Sequence, residues 1–201
     1  MSAASALPLP EPQPSAAAQA TQESIEEHRK AAKQSNDPLL QFEFAKFLIE
    51  VAATAPDSVP DDPKASRKYK EGLLSEGLKW IKRLASQGIG LGRTAYPEAQ
   101  FFLANCYGNG SLGLPVDHDK AFTLYVQASK QSHASATYRT AVCYELGAGT
   151  KRDHARAVQF YRKAAALGDT AAMYKFGMVC VFERPGGLAR PRPLPLRPPP
   201  R

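Results

Sequence analysis

The residues of this chain that could do chemistry are three cysteines, four histidines and a few clustered acids. Cys106 and Cys143 stand 37 positions apart. A redox pair needs Cα atoms within about 7 Å. Matching positions on packed neighbouring helices lie roughly 9–10 Å apart. The two therefore read as structural thiols in a core rather than a disulfide couple. Cys180 is more isolated still. His28, His118, His133 and His154 form no His-Glu-x-x-His, and no Cys-x-x-Cys accompanies them, so no zinc site is expected. His118 and His154 each follow an aspartate, which reads as a repeated surface position. Asp61-Asp62 and the pair Asp117/Asp119 read as loop and helix-cap acids rather than a general acid and base. Gly88, Gly90 and Gly92 follow no strand pattern, so they read as a linker, not a phosphate cradle. The expectation is that the chain has no catalytic, cofactor-binding or metal-ligating residues and no cofactor.

The elements that position these residues are helices. Ala121, Phe122, Leu124, Tyr125 and Ala128 make one apolar stripe at three- and four-residue spacing, and Ala157, Val158, Phe160, Tyr161, Ala164 and Ala165 make another. No segment alternates at period two, so no sheet is expected. About eight helices are predicted, at 24–35, 38–54, 64–87, 97–108, 118–132, 134–147, 154–168 and 170–182. Residues 1–20 are mostly Ala, Pro, Ser and Gln with few large apolar groups, and read as a disordered tail. Residues 184–201 are a second disordered tail, rich in Pro and Arg, which favour extended polyproline conformations. Its Arg192-Pro193-Leu194-Pro195-Leu196-Arg197-Pro198 fits the pattern that docks aromatic grooves, although such a composition also yields the pattern without selection for it.

Composition narrows the function classes. The chain has 201 residues, 43% hydrophobic and 22% charged, which suits a globular body. The net charge of +7 is not spread evenly. The last 18 residues hold five arginines and no acid, leaving 21 basic against 19 acidic groups elsewhere, or +2. A phosphate-tracking surface for nucleic acid is therefore not implied. Three cysteines suit a reducing compartment. No apolar run reaches the ~18 residues of a spanning helix, and 1–20 show no secretion signal.

The body repeats. Ala99-x-x-x-Leu103-Ala104-x-Cys106-Tyr107 matches Ala136-x-x-x-Thr140-Ala141-x-Cys143-Tyr144 at an offset of 37, and Ala172-x-x-x-Phe176-Gly177-x-Val179-Cys180 follows at 36. Leu40-x-x-x-Phe44-Ala45 is an earlier copy. A second helix follows the complete copies. Asp117-x-x-x-Ala121-Phe122-x-x-Tyr125-x-x-Ala128 matches Asp153-x-x-x-Ala157-Val158-x-x-Tyr161-x-x-Ala164, and Gly77-Leu78-x-x-Ile81-x-x-Leu84 takes that place earlier. His28-Arg29-Lys30-Ala31-Ala32 mirrors Tyr161-Arg162-Lys163-Ala164-Ala165. The small column Ala45/Ala104/Ala141/Gly177 lets the paired helix approach. The aromatic column Phe42/Phe101/Tyr138/Tyr174 should fill the space between helices, with a binding ladder as the alternative. Asp117 and Asp153 are N-caps, and Asp62-Pro63 opens the longer helix. The predicted fold is all-α: an α-α superhelix, a right-handed solenoid of antiparallel helix pairs over 21–183. Its complete repeats lie near 38–88, 97–133 and 134–169, with a partial one at 170–182. The outward positions of the first helices would line a docking groove.

These repeats resemble the Sel-one-like repeat, a relative of the tetratricopeptide repeat, over about residues 24–179. Three stretches are similar to the fungal chitin synthase activators, or regulatory factors: Asp37-Pro38-Leu39-Leu40-Gln41-Phe42-Glu43-Phe44-Ala45-Lys46, Glu98-Ala99-Gln100-Phe101-Phe102-Leu103-Ala104-Asn105-Cys106-Tyr107-Gly108-Asn109-Gly110, and Ala171-Ala172-Met173-Tyr174-Lys175. The resemblance implies a non-catalytic cytoplasmic scaffold. It would bind a membrane chitin synthase and septum-localised scaffold proteins, be recruited to the plasma membrane or septum through them, and activate or localise the synthase in wall growth. A generic adaptor for another complex is the alternative; a hydrolase would need a nucleophile–base cluster or paired cysteines. Two departures stand out. The last repeat loses its pattern near Cys180, as an interrupted repeat would, and Pro198-Pro199-Pro200-Arg201 is no prenylation box. A stack cut there is expected to expose the face meant for the next helix.

Overall fold

A computed structural model describes residues 16–54, 63–86 and 95–182. Among the described residues there are eight helices and no strand: α1 (Ala16–Gln34), α2 (Pro38–Thr54), α3 (Pro63–Ser86), α4 (Pro97–Asn109), α5 (His118–Lys130), α6 (Ala134–Leu146), α7 (His154–Ala166) and α8 (Thr170–Phe182). The fold class is the all-α repeat class expected from the pattern. The Pro/Arg tail, the glycines at 88, 90 and 92, and Asp61-Asp62 lie outside the described residues.

Two boundaries are written in proline and glycine. Pro63 and Pro97 stand at the first positions of α3 and α4, where a missing N–H costs nothing because that donor has no intrahelical partner. α4 and α6 end alike: Gly110 (φ 68°) and Gly147 (φ 78°) adopt the left-handed conformation, and their N–H groups donate to the carbonyls of Cys106 and Cys143. One helix starts earlier than its sequence predicts. α1 opens at Ala16, inside the stretch 1–20 read as a disordered tail. The run Ala16-Ala17-Ala18-Gln19-Ala20 has high intrinsic helix propensity, and adding residues to an existing helix avoids a new nucleation cost.

The chain divides within α3 into two compact units, Met1–Gly77 and Leu78–Arg201. In the first, Ile25 (3% exposed) and Ala32 (0%) are the buried positions of α1. They are seven apart, as Ala157 and Ala164 are in α7. The true register therefore puts Arg29, not His28, in the place of Tyr161. In the Arg-Lys-Ala-Ala letters only Ala32 is buried, while Lys30 and Ala31 are exposed, so the letter match is one residue out of step with the burial. Arg29 forks onto Glu76, with Nε–Oε1 at 2.8 Å and Nη2–Oε2 at 2.7 Å, and also pairs with Glu26. A planar bidentate pair of this kind is geometrically specific. Gly77 allows α3 to pass close to α2: an added Cβ would stand 3.0 Å from the Ala45 carbonyl oxygen.

In the second unit each helix pair shares a core with the first helix of the next repeat. Ala104, Ala121, Tyr125, Ala128, Ala136 and Cys143 form one cluster, with Phe101, Tyr107 and Phe122 against it. Ala141, Ala157 and Tyr161 form the next, with Tyr138, Tyr144 and Phe176 against it. Ala104 and Ala141 are fully buried, as the small column requires. Phe101 lies 6.0 Å from Tyr125 and Tyr138 lies 5.8 Å from Tyr161, ring to ring. Such pairs add about 0.5–1.5 kcal/mol beyond burial. The two columns fail at α8. Tyr174 is 70% exposed, and a Cβ on Gly177 would meet nothing within 4 Å. Among the described residues no later helix exists to cover them.

Candidate docking surface

The loop joining the two helices of each pair is held by a repeated clasp. Asp117 caps α5 by accepting from the Lys120 N–H at 2.9 Å, and its own N–H donates to the Tyr107 carbonyl at 2.9 Å. Lys120 Nζ returns to Asp117 at 2.8 Å and lies 5.5 Å from the centre of the Tyr107 ring. The next repeat copies it: Asp153 caps through Arg156 N–H at 3.0 Å, Arg156 pairs with Asp153 at 3.3 Å, and its guanidinium lies 5.7 Å over Tyr144. The hydrogen bond to Lys120 and that residue's charge hold the Asp117 carboxyl below its ordinary range, and Asp117 raises Lys120 in turn. The Asp caps were legible in the sequence. The cations were not, because Lys120 and Arg156 read as ordinary solvated residues.

A second repeated device ties each first helix to the end of the helix before it. Gln41 Nε2 donates to the Ser35 carbonyl at 2.7 Å, and Gln100 Nε2 to the Ala85 carbonyl at 3.2 Å. Thr137 occupies the same column and bonds Ser129 Oγ at 3.0 Å. All three side chains are buried. Gln100 also accepts from Gln131 Nε2 at 2.9 Å. The position comes one residue before the aromatic column, a regularity that polar residues at apolar spacing conceal.

The groups with chemical potential are dispersed by this frame. Cys106, Cys143 and Cys180 are all free, the first two buried and the third exposed. Burial pushes the Cys106 thiol up to about 11 and raises Cys143 as well. Neither is activated, since an activated thiol is one whose value falls. His118 and His154 are exposed beside their caps. His28 Nδ1 donates to the Ser24 carbonyl at 2.7 Å. His133 is an unforeseen cap: its Nδ1 accepts from the Ala136 N–H at 3.1 Å and its ring lies 4.8 Å from Phe101. No group of three or more His, Cys, Asp or Glu among the described residues could hold a metal ion.

What remains is surface. An open groove of about 800 Å³ runs between the C-terminal end of α3, α4 and α5. Its walls include Lys82, Gln100, Tyr107, Asp119, Lys120 and Gln127. The groove takes its walls from the second helices α3 and α5 and from Gln100, Leu103 and Tyr107 of the first helix α4. Two positions on the first helices are engaged within the chain: Asn105 accepts from the Tyr125 hydroxyl at 2.7 Å, and Glu145 accepts from the Tyr161 hydroxyl. Among the described residues no helix is long and apolar enough to cross a membrane.

Comparison with known proteins gives this surface its context. Residues 97–133 and 134–169 each match the model of the Sel1 repeat. The chain is 32% identical over 170 residues to the chitin synthase regulator SKT5 of Saccharomyces cerevisiae, covering 81% of this chain and 23% of that protein. It is 26% identical over 156 residues to chitin synthase regulatory factor 2 of Schizosaccharomyces pombe, covering 78% and 30%. The chain thus spans less than a third of the length of these relatives. Among solved structures, a Sel1 repeat protein from Oxalobacter formigenes aligns with a TM-score of 0.57 at 23% identity, over 78% of this chain and 98% of that one. A protective antigen of uropathogenic Escherichia coli with an SLR fold aligns at 0.59 and 24% identity, over 77% and 28%. These two likenesses bear on the fold.

Proposed function

We propose that this chain, two stretches of which match the Sel1 repeat, is a non-catalytic regulatory scaffold that binds a membrane chitin synthase and raises or localises its activity. The observation that carries this reading is the run of similarity to proteins named as chitin synthase regulators, which extends across both units rather than over the repeats alone. The physical setting agrees with it. Helix pairs held by caps and buried side-chain ties present a rigid surface, and rigid surfaces bind with little ordering cost. The groove between α3, α4 and α5 mixes Lys82 and Lys120 with Asp119 over an apolar floor that includes Leu103, which suits a polypeptide better than a phosphate. The scaffold would act in the cytoplasm and reach the plasma membrane or septum through its partners.

The test is reconstitution. Purified chain is mixed with membranes carrying chitin synthase, and co-sedimentation and chitin synthesis are measured together. The expected result is saturable co-sedimentation with a change in rate. Thr123→Arg, an exposed groove residue, should weaken both while leaving the circular dichroism spectrum unchanged. A chain that neither sediments with the membranes nor alters synthesis refutes the proposal.

A further inference from the structure

The near-neutral body hides one strongly basic helix. Of the 24 residues of α3, seven are Lys or Arg and two are Glu, a net +5. Outside α3 and the last 18 residues, 14 basic groups stand against 17 acids, or −3. The helical period puts six of the seven on one stripe: Lys64, Arg67, Lys68, Lys79, Lys82 and Arg83. All six are exposed, and Gly72, Ser75 and Ser86 between them on that stripe are small and exposed too. The buried positions Leu73, Trp80, Ile81 and Leu84 lie on the opposite side. The two acids offset little of this charge. Glu71 pairs with Arg67 at 3.0 Å, and Glu76 is held by Arg29. Among the described residues no acid pairs with Lys68, Lys79 or Lys82. The stripe belongs to a single continuous helix, and from Lys64 to Arg83 it runs about 28 Å.

We propose that this stripe lies against an anionic lipid surface, so that α3 itself brings the chain to a membrane. The argument is charge complementarity: each Lys or Arg beside an anionic leaflet strengthens adsorption roughly fivefold. The make-up of the stripe favours lipid over nucleic acid. Four of its six cations are lysines, which act as point charges on flexible stems rather than as bidentate forks. No aromatic stands on it to stack on a base; Tyr69, which is 40% exposed, lies off the stripe. The small residues between the lysines let the stems lie along the headgroups. The stripe holds no large apolar side chain to enter the hydrocarbon. Contact is therefore adsorption that salt reverses, without insertion. This inference goes beyond the regulatory reading and does not depend on it.

The probe is a vesicle of phosphatidylcholine mixed with phosphatidylserine, with pure phosphatidylcholine as the neutral control. The basic tail would bind the same vesicles, so co-sedimentation is measured on the full chain carrying Arg184→Gln, Arg190→Gln, Arg192→Gln, Arg197→Gln and Arg201→Gln. Saturable binding to the mixed vesicles alone is expected in about 0.1 M salt, and its loss in about 1 M, where the screening length falls from ~10 to ~3 Å. Lys68→Gln, Lys79→Gln and Lys82→Gln together should weaken it on the order of a hundredfold. Lys33→Gln, Lys151→Gln and Arg162→Gln, an equal loss of charge at exposed sites elsewhere, should weaken it far less. The emission of Trp80, the single tryptophan, should not shift, since it is buried on the far side of α3. No binding to the mixed vesicles, a loss no larger for the α3 set than for the control set, or a shift of Trp80 overturns the proposal. So does binding to single-stranded RNA or polyglutamate that the α3 set abolishes while vesicle binding persists, because the occupant is then another polyanion. The vesicles hold no synthase, so failure here leaves the regulatory reading standing.

Discussion

One column of small residues gives opposite responses to the same substitution, and that contrast tests the stacking directly. Ala104 and Ala141 are fully buried, while Gly177, in the same column, has nothing within 4 Å of a Cβ. Replacing Ala141 by Leu forces three extra carbons into a packed helix pair. Overpacking of this kind costs about 1–3 kcal/mol. Gly177→Leu meets no such wall. It replaces the poorest non-proline helix former by one of the best, a gain of up to about 0.8 kcal/mol. For a chain of this size, ~1 kcal/mol moves the melting temperature by about 2–4 °C. Ala141→Leu should thus melt roughly 2–12 °C lower than the parent, and Gly177→Leu at the same temperature or up to about 3 °C higher. Circular dichroism melts and urea titrations of the two variants, with Ala104→Leu as a second buried site, measure this. Equal loss in all three would mean that the α8 face is covered as the others are, and the reasoning would fail.

Thiol labelling should follow burial. At pH 8 iodoacetamide should modify Cys180 in the native chain and leave Cys106 and Cys143 until unfolding, as peptide mass spectrometry can read. Gln100→Leu should cost about 1–3 kcal/mol, because the Ala85 carbonyl loses a donor and the Gln131 amide loses an acceptor; urea denaturation reads the loss. Burial pushes the Tyr125 phenol up to about 12. Its raised value contributes stability that is whole below the unfolded phenol's value, near 10, and is lost as pH rises through the folded one. Tyr125→Phe should therefore flatten the fall of stability between pH 10 and about 12, measured by urea midpoints across that range.

Much of the fold was legible because burial in a stacked repeat forces recurrence. Ala104 and Ala141 must stay small for the same reason, and Asp117 and Asp153 must cap for the same reason, so the periodicity names them together. The parts that were not legible are those where chemistry and pattern part company. Gln41 and Gln100 sit at core spacing but are polar, and only coordinates show a carbonyl waiting for each. Lys120 and Arg156 look like solvent-facing charges until the tyrosine beneath them is seen. His133 caps a helix although the usual capping residues are Ser, Thr, Asp and Asn. The Ala-rich start of α1 lacks large apolar groups, which obscured its propensity. In α1 the visible letters matched one register and the burial of Ile25 and Ala32 chose another. The groove between α3, α4 and α5 could not be read at all, since its walls come from three helices whose relative placement the sequence does not state.

The ties made by Gln41, Gln100 and Thr137 carry a consequence for how such chains change length. Gln41 reaches back six residues to its carbonyl, Thr137 eight to its hydroxyl, and Gln100 fifteen. Two of the ties end on a backbone carbonyl and one on a side-chain hydroxyl, yet each closes at the end of the preceding helix over a different length of chain. Insertions between one hairpin and the next can therefore accumulate without disturbing the seating of the following helix, so variation in the spacers is mechanically insulated from the rods they join.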